Sequence, residues 1–371
     1  MRISAKYFAT GQPHALDFEH GRIAELKKTS TNPSLWFAPA FFDPQINGCL
    51  GHSFSSEKTK TEGFLAIVAE CRKHGIGSFF PTVITGSQET ILAAFKNLTR
   101  AVASVPELLT IWPGYHLEGP YVSGAKGARG AHPAEWVRDP NGNEFKKFQE
   151  AALGRIRMVT LAPERPGAIK FIEKLTAQGI VVAIGHTCAT SEQIAAAVDA
   201  GARTSTHLGN GCPAMLPRHP NMVWDQLAED RLWASVIADG NHLPTSVLKT
   251  ILRAKTLERV LLTCDVGPLA GMPPGKYRDW GNDLEVLPDG RIMVAATSFL
   301  AGSGHFTDTC VNTLLALGLS LQESIELASV RTRQLFNLPV PVAEIGDAGP
   351  WMLFEWSPER DFRVERVVDI V

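Results

Sequence analysis

Short runs of apolar and β-branched residues recur along the middle of the chain, each followed by a longer stretch with apolar residues at helical spacing. Eight runs read as strands, at 39–46, 77–84, 112–117, 156–162, 180–185, 203–207, 233–238 and 260–264. Helical patterns lie between them at 57–74, 87–104, 142–152, 165–178, 190–200, 222–229 and 244–255. The run at 180–184 is continuously apolar, as expected of a strand buried on both faces of a parallel sheet. In the unit that follows it, Thr190 and Gln193 stand at capping-box spacing and Gly201 marks the helix stop. Strands alternating with helices predict parallel β-α units, and eight such units predict a closed (β/α)8 TIM-like barrel over residues 39–338.

The pattern changes at both ends. Residues 3–9, 15–18 and 22–26 are short strand-like pieces, with His20-Gly21 as a turn signal. After the eighth run come a Pro/Gly-rich loop at 266–282, a hairpin at 284–294 turning on Asp289-Gly290, and helices at 306–317 and 320–336. Strand character returns at 351–356 and 362–371. The simplest assembly pairs the two ends, 1–38 and 339–371, into a small β-sandwich domain beside the barrel.

Composition narrows the function classes. With 371 residues, 44% of them hydrophobic, the chain has ample material for a large core. A net charge of −2 and a pI near 6.6 give no footprint for nucleic acid or a membrane surface. No apolar run approaches the roughly 20 residues of a membrane span, and the N-terminal residues lack the apolar stretch of a signal peptide. Six scattered cysteines without a CxxC pair suit reduced thiols, so a cytoplasmic enzyme is expected.

The chemistry-bearing residues fall at the predicted C-terminal strand ends, the edge that carries the active site in barrels of this kind. The third strand ends in His116-Leu117-Glu118-Gly119-Pro120, the fifth and sixth lead into His186 and His207, the seventh runs into Asp239-Gly240-Asn241-His242, and the eighth ends at Asp265. Imidazole nitrogen and carboxylate oxygen suit a borderline divalent cation, and a catalytic site uses three protein ligands with one position left open. Glu118, His186 and His207 supply that set. Cys188 and Cys212 are rival ligands, though both sit past the strand ends in loop sequence. Asp265 is then free to take a proton from a water whose pKa the metal lowers from 15.7 toward roughly 7. The competing readings are a barrel salt bridge for Glu118 and a helix cap for Asp265.

Several motifs resemble the N-acetylglucosamine-6-phosphate deacetylases of the amidohydrolase superfamily, from about Pro39 to Leu338. They are His116-Leu117-Glu118-Gly119-Pro120, Gly130-Ala131-His132-Pro133, Leu161-Ala162-Pro163-Glu164, Gly185-His186-Thr187-Cys188-Ala189-Thr190, Thr206-His207-Leu208-Gly209-Asn210, Ala238-Asp239-Gly240-Asn241-His242 and Leu300-Ala301-Gly302-Ser303. The resemblance implies a metal-dependent deacetylase acting on a phosphorylated N-acetyl amino sugar. Glu118, His186 and His207 would hold one divalent ion per subunit, zinc or else iron, and Asp265 would be the general acid/base. His242 and Asn210-Gly211 would contact the sugar phosphate, and His132 lies in a loop over the site. Arg218 would reach the phosphate in the neighbouring subunit of a homodimer.

Four departures stand out. Gln45-Ile46-Asn47 replaces the superfamily's His-x-His, which argues against a second metal. Val266-Gly267-Pro268-Leu269-Ala270-Gly271 differs from the family's usual segment, His305 stands where a small or apolar residue is expected, and the C-terminal tail is short. The rival functions are N-acetylgalactosamine-6-phosphate deacetylation, another amide hydrolysis on the same barrel, and non-catalytic binding of a sugar phosphate. Fold alone does not choose among them. The phosphate-suited Arg218 and His242 speak against a different amidohydrolase reaction, and the intact proton acceptor speaks against a mere binder.

Overall fold

The structure, a computed structural model, describes residues 1–368. Eight parallel strands follow one another around a barrel in chain order: Phe41–Ile46, Ile76–Ile84, Tyr115–Glu118, Ile156–Leu161, Val181–Ile184, Thr204–Ser205, Trp233–Val236 and Val260–Leu262. A parallel bridge between Ile46 and Val266 closes the first strand onto the chain beyond the eighth. Helices pack outside, among them Gln88–Ser104, capped by Ser87, and Ser191–Asp199, capped reciprocally by Thr190 and Gln193.

Inside the strands, Phe42, Phe80, Met158, Trp233 and Leu261 cluster with Leu335 and Phe336, apart from the core between strands and helices. This apolar plug fills the interior, as parallel barrels require. His116 lies on the third strand two positions before Glu118, so both side chains share a face. Its Nε2 lies 2.8 Å from Thr160 Oγ1, which lies 2.6 Å from Thr206 Oγ1. A buried polar ladder therefore runs beside the residues that carry the site.

Both chain ends build a six-stranded mixed sheet. Its order is Arg360–Val368, Trp351–Ser357, Leu35–Pro39, Arg2–Tyr7, Pro13–Glu19 and Arg22–Lys28. A further three-stranded sheet, Gly275–Asp279, Asn282–Val286 and Ile292–Val294, stands over the C-terminal mouth of the barrel.

Some element boundaries differ from those the sequence predicts. The run at 39–46 is divided, because Leu35–Pro39 joins the terminal sheet and the barrel strand begins at Phe41. The segment at 112–117 is strand only from Tyr115, and a short helix, Leu108–Ile111, precedes it. Only Thr204–Ser205 is strand in the run at 203–207. The loop at 266–282 contains the strand Gly275–Asp279, which alternates half-buried and exposed positions and so lacks an apolar run. The helix at 320–336 breaks at Ser329, whose φ of −135° leaves the helical range. Residues 369–371 of the last predicted strand lie outside the described residues.

Burial lowers the pKa of His116 from 6.5 to about 4. Above pH 6.5 the ring is neutral folded and unfolded alike. Below it the unfolded chain takes a proton that the folded chain refuses, so stability falls as pH falls, by up to about 1.4 kcal/mol per pH unit until pH 4. In urea unfolding, wild type should therefore lose about 1.8 kcal/mol relative to His116→Gln between pH 7 and pH 5. A gap between the two proteins that does not change with pH would refute this.

Candidate active site

Three strand ends deliver ligand-type atoms to one point. Glu118 closes the third strand, while His186 and His207 lie two residues past the fifth and sixth. Glu118 Oε1 is 3.3 Å from His186 Nε2 and 3.2 Å from His207 Nε2, and the two imidazole nitrogens are 3.0 Å apart. All three residues are buried, and together they form a group that can hold a metal ion. Tetrahedral ligands at about 2.0–2.1 Å from zinc would themselves be ~3.3 Å apart, so the spacing fits.

The donor chemistry fits as well. His186 Nδ1 lies 2.9 Å from the Ala128 carbonyl oxygen and donates to it, so in the neutral ring Nε2 presents a lone pair to Glu118 and His207. Bare acceptors at such separations need a cation between them. His207 Nδ1 is buried with no hydrogen-bond partner among the described residues.

Asp265 lies beside this group. Gln45 Nε2 donates to Asp265 Oδ1 at 2.8 Å and to Glu118 Oε1 at 2.9 Å, and Asn47 Nδ2 donates to the same Asp265 oxygen at 2.7 Å. Both amides thus orient Asp265, leaving Oδ2 as its freer oxygen. Burial and the neighbouring Glu118 raise the Asp265 pKa to about 8. A divalent cation in the ligand group reverses that balance.

Backbone strain marks the same residues. His186, His207 and Asp265 have φ of 49°, 31° and 52°, a region that non-glycine residues seldom occupy. Gly211, at φ 57°, passes so close that a Cβ there would lie 2.8 Å from His186 Nδ1. No larger residue fits the loop as it stands.

A cavity of about 300 Å³ is lined by Glu118, His186, His207, Asp265, His132, Asn210, Gly211 and His242. Arg218 is exposed and absent from that lining, in a loop where Met215 is 90% exposed. Cys188 and Cys212 fall outside the ligand group, and burial raises the pKa of both thiols.

Four contributors were not legible as site residues. Gln45 and Asn47 read as missing ligands, yet they hold the candidate proton acceptor. Asp239 Oδ2 lies 2.8 Å from His242 Nδ1 and accepts from Ser303 Oγ at 2.8 Å, so it orients His242. Its position three residues before His242 was the available signal. Trp280, from the hairpin, lines the cavity with no motif to announce it.

Neutral amides at Gln45 and Asn47 bind transition metals weakly, and the described residues hold one ligand group. Elemental analysis should therefore find about one zinc or iron per chain. Full activity only at two metals per chain would overturn this.

No family model matches the chain. It is 33% identical over 332 residues to an N-acetylgalactosamine-6-phosphate deacetylase of Escherichia coli O157:H7, covering 88% of this chain and 85% of that protein. It is 36% identical over 340 residues to the human N-acetylglucosamine-6-phosphate deacetylase, covering 88% and 80%. The solved N-acetyl-D-glucosamine-6-phosphate deacetylase of Mycobacterium smegmatis superposes with a TM-score of 0.88 at 28% identity, covering 100% of this chain and 98% of that one. With the ligand group and the barrel already in place, these relatives show that the chain belongs to the N-acetylglucosamine-6-phosphate deacetylase family of the amidohydrolase superfamily.

Proposed function

We propose that this protein hydrolyses the N-acetyl group of N-acetylglucosamine 6-phosphate to glucosamine 6-phosphate and acetate, using one divalent ion, zinc or alternatively iron. The observation that carries this is the convergence of Glu118, His186 and His207 beside Asp265, in one cavity with His242 and Asn210. The relative from Escherichia coli supports a second reading, in which the galacto epimer is the substrate.

Glu118, His186 and His207 would hold the ion, which when bound supplies Lewis acidity and a nucleophilic water at neutral pH. Asp265 receives the proton of the attacking water at Oδ2, since Oδ1 is taken by Gln45 and Asn47, and passes it to the leaving nitrogen. Burial holds the pKa of His132 down to about 3, so the ring is neutral. With Nδ1 accepting from the Thr85 hydroxyl at 2.7 Å, its Nε2–H lies beside the ligand group, 3.2 Å from His186 Nε2, and is available to the oxyanion once His186 Nε2 is engaged by the ion. Asp239 engages His242 Nδ1, which leaves Nε2–H to meet either the oxyanion or a phosphate oxygen.

Arg218 completes the phosphate site from the second subunit of a homodimer. Supporting this are its exposure, its absence from its own chain's cavity, and the prolines that stiffen its loop. A guanidinium suits phosphate oxygens better than an ammonium does. Six free cysteines support a reducing compartment, which we read as the cytoplasm. Among the described residues no helix is long and apolar enough to cross a membrane.

Asp265→Asn should retain the metal and lose about 10²–10⁴ in rate, whereas His186→Ala or His207→Ala should lose metal and activity together. Near-wild-type turnover by Asp265→Asn would refute the assigned role. Arg218→Ala should raise KM for the phosphorylated sugar about 10–100-fold, with slow turnover of the unphosphorylated sugar unchanged. Mixed with Asp265→Asn chains, it should regain activity, because one hybrid site then has both wild-type residues. A fully active monomer would sink the role in trans.

A further inference from the structure

The motif Leu161-Ala162-Pro163-Glu164 begins at the last residue of the fourth barrel strand, Ile156–Leu161, and brings no atom to the ligand group. That strand lies between the third and the fifth, whose ends lead to Glu118 and His186. The loop after it is bonded to the segments that follow both. On one side the Ala162 amide donates at 3.0 Å to the carbonyl of Tyr121, three residues past Glu118. On the other side Glu164 reaches the segment after His186. Its Oε1 accepts from the Cys188 amide at 2.6 Å and its Oε2 from the Thr187 hydroxyl. Thr187 Oγ1 in turn accepts from the Ala189 amide at 2.9 Å. Thr187 is buried and Glu164 half-buried. The ordinary role of an acidic residue here would be to cap the helix that follows. That helix, Ala168–Thr176, starts after Gly167 without a side-chain cap, so Glu164 does something else.

His186 is the residue on which this grip bears. Its φ of 49° is a conformation that persists only where the surroundings over-determine it. Three sets of bonds do so. The ring is fixed by Nδ1 donating to the Ala128 carbonyl at 2.9 Å, and the His186 carbonyl accepts from the Ser123 amide at 2.8 Å. Glu164 holds the main chain beyond it. A carboxylate that receives two donors from successive residues makes charge-assisted bonds and fixes their direction as well as their distance. Without it, residues 187–189 are released and the φ of His186 can relax toward the common regions. Nε2 then leaves the point it shares with Glu118 Oε1 and His207 Nε2.

Resting on the reading of Glu118, His186 and His207 as ligands of the ion, we propose that Glu164 is a positioning residue for the metal centre. It touches neither ion nor substrate. It keeps His186 in ligand geometry by clamping the turn at 187–189 to the end of the fourth strand.

The test reads metal binding rather than turnover. Metal-free protein is titrated with Zn²⁺ against a chromophoric chelator, and the visible absorption of the Co²⁺-loaded protein reports ligand geometry. Glu164→Ala should bind zinc about 10–100-fold more weakly than wild type, as is usual when the outer partner of a ligand is lost, and should shift the Co²⁺ bands. Glu164→Gln keeps the volume and one acceptor oxygen, and should weaken binding by at least about threefold but less than Glu164→Ala does. Thr187→Val should act in the same direction. Combined with Glu164→Ala it should cost less than the product of the two single effects, because both remove the same bond. A lower urea midpoint with unchanged zinc affinity and unchanged Co²⁺ bands would make Glu164 a stability residue and overturn the proposal. Full multiplication of the two single effects would overturn the shared clamp. Should Glu164→Ala not fold, Glu164→Gln decides alone, and zinc affinity equal to wild type refutes the role. If instead His186→Ala binds zinc as tightly as wild type, the ligand assignment falls and the clamp with it.

Discussion

One buried carboxylate joins the two ends of the barrel. Asp43, on the first strand, is fully buried, and its Oδ1 accepts from Thr263 Oγ1 at 2.6 Å and from the Gln45 amide at 3.0 Å. Its Oδ2 accepts from the Cys264 amide at 2.8 Å and from Thr307 Oγ1 at 2.9 Å. Burial pushes the Asp43 pKa up, while these donors hold it back. The four bonds link the first strand, the end of the eighth and the helix Thr307–Ala316. Gln45 lies two residues beyond Asp43, and Asp265 two beyond Thr263. The first strand is irregular between Asp43 and Ile46, and beyond that irregularity Gln45 Nε2 meets Asp265 Oδ1 while Ile46 bridges Val266. Closure of the barrel and orientation of Asp265 thus lie at one seam.

The site assembled at that seam carries uncompensated negative charge. Glu118 and Asp265 lie together in a dry interior, linked through a single amide of Gln45. Neutral amides can orient carboxylates but cannot cancel their repulsion, which is why burial and Glu118 together raise the Asp265 pKa to about 8. A divalent cation among Glu118, His186 and His207 removes the conflict. Positive φ at His186, His207 and Asp265 shows that the loops accept local strain to aim these side chains, which a rigid barrel can sustain.

The hairpin and the loop at 212–221 add what the barrel itself lacks. Trp280 lines the cavity, and the projecting loop carries Arg218 away from its own site. Peripheral segments thus shape the surroundings of the site, while its ligand-type side chains stay at or just past strand ends.

The sequence by itself determined the eight-fold alternation, the closing of both chain ends toward strand structure, and the ligand types at the strand ends. These were legible because burial imposes a local pattern: continuous apolar strands, amphipathic helices, and polar residues only where a strand meets its loop. Helix caps such as Thr190 with Gln193 were equally legible, since the bonded groups are three residues apart. Only the tertiary structure decided that Gln45 and Asn47 serve Asp265, because those partners are about two hundred residues distant along the chain. The same holds for Asp43, whose burial among donors from three elements leaves no trace in residue order, and for Trp280, in a turn that follows a half-buried strand without an apolar run. Local pattern reports what a segment buries; which segment it is buried against is settled only by closure.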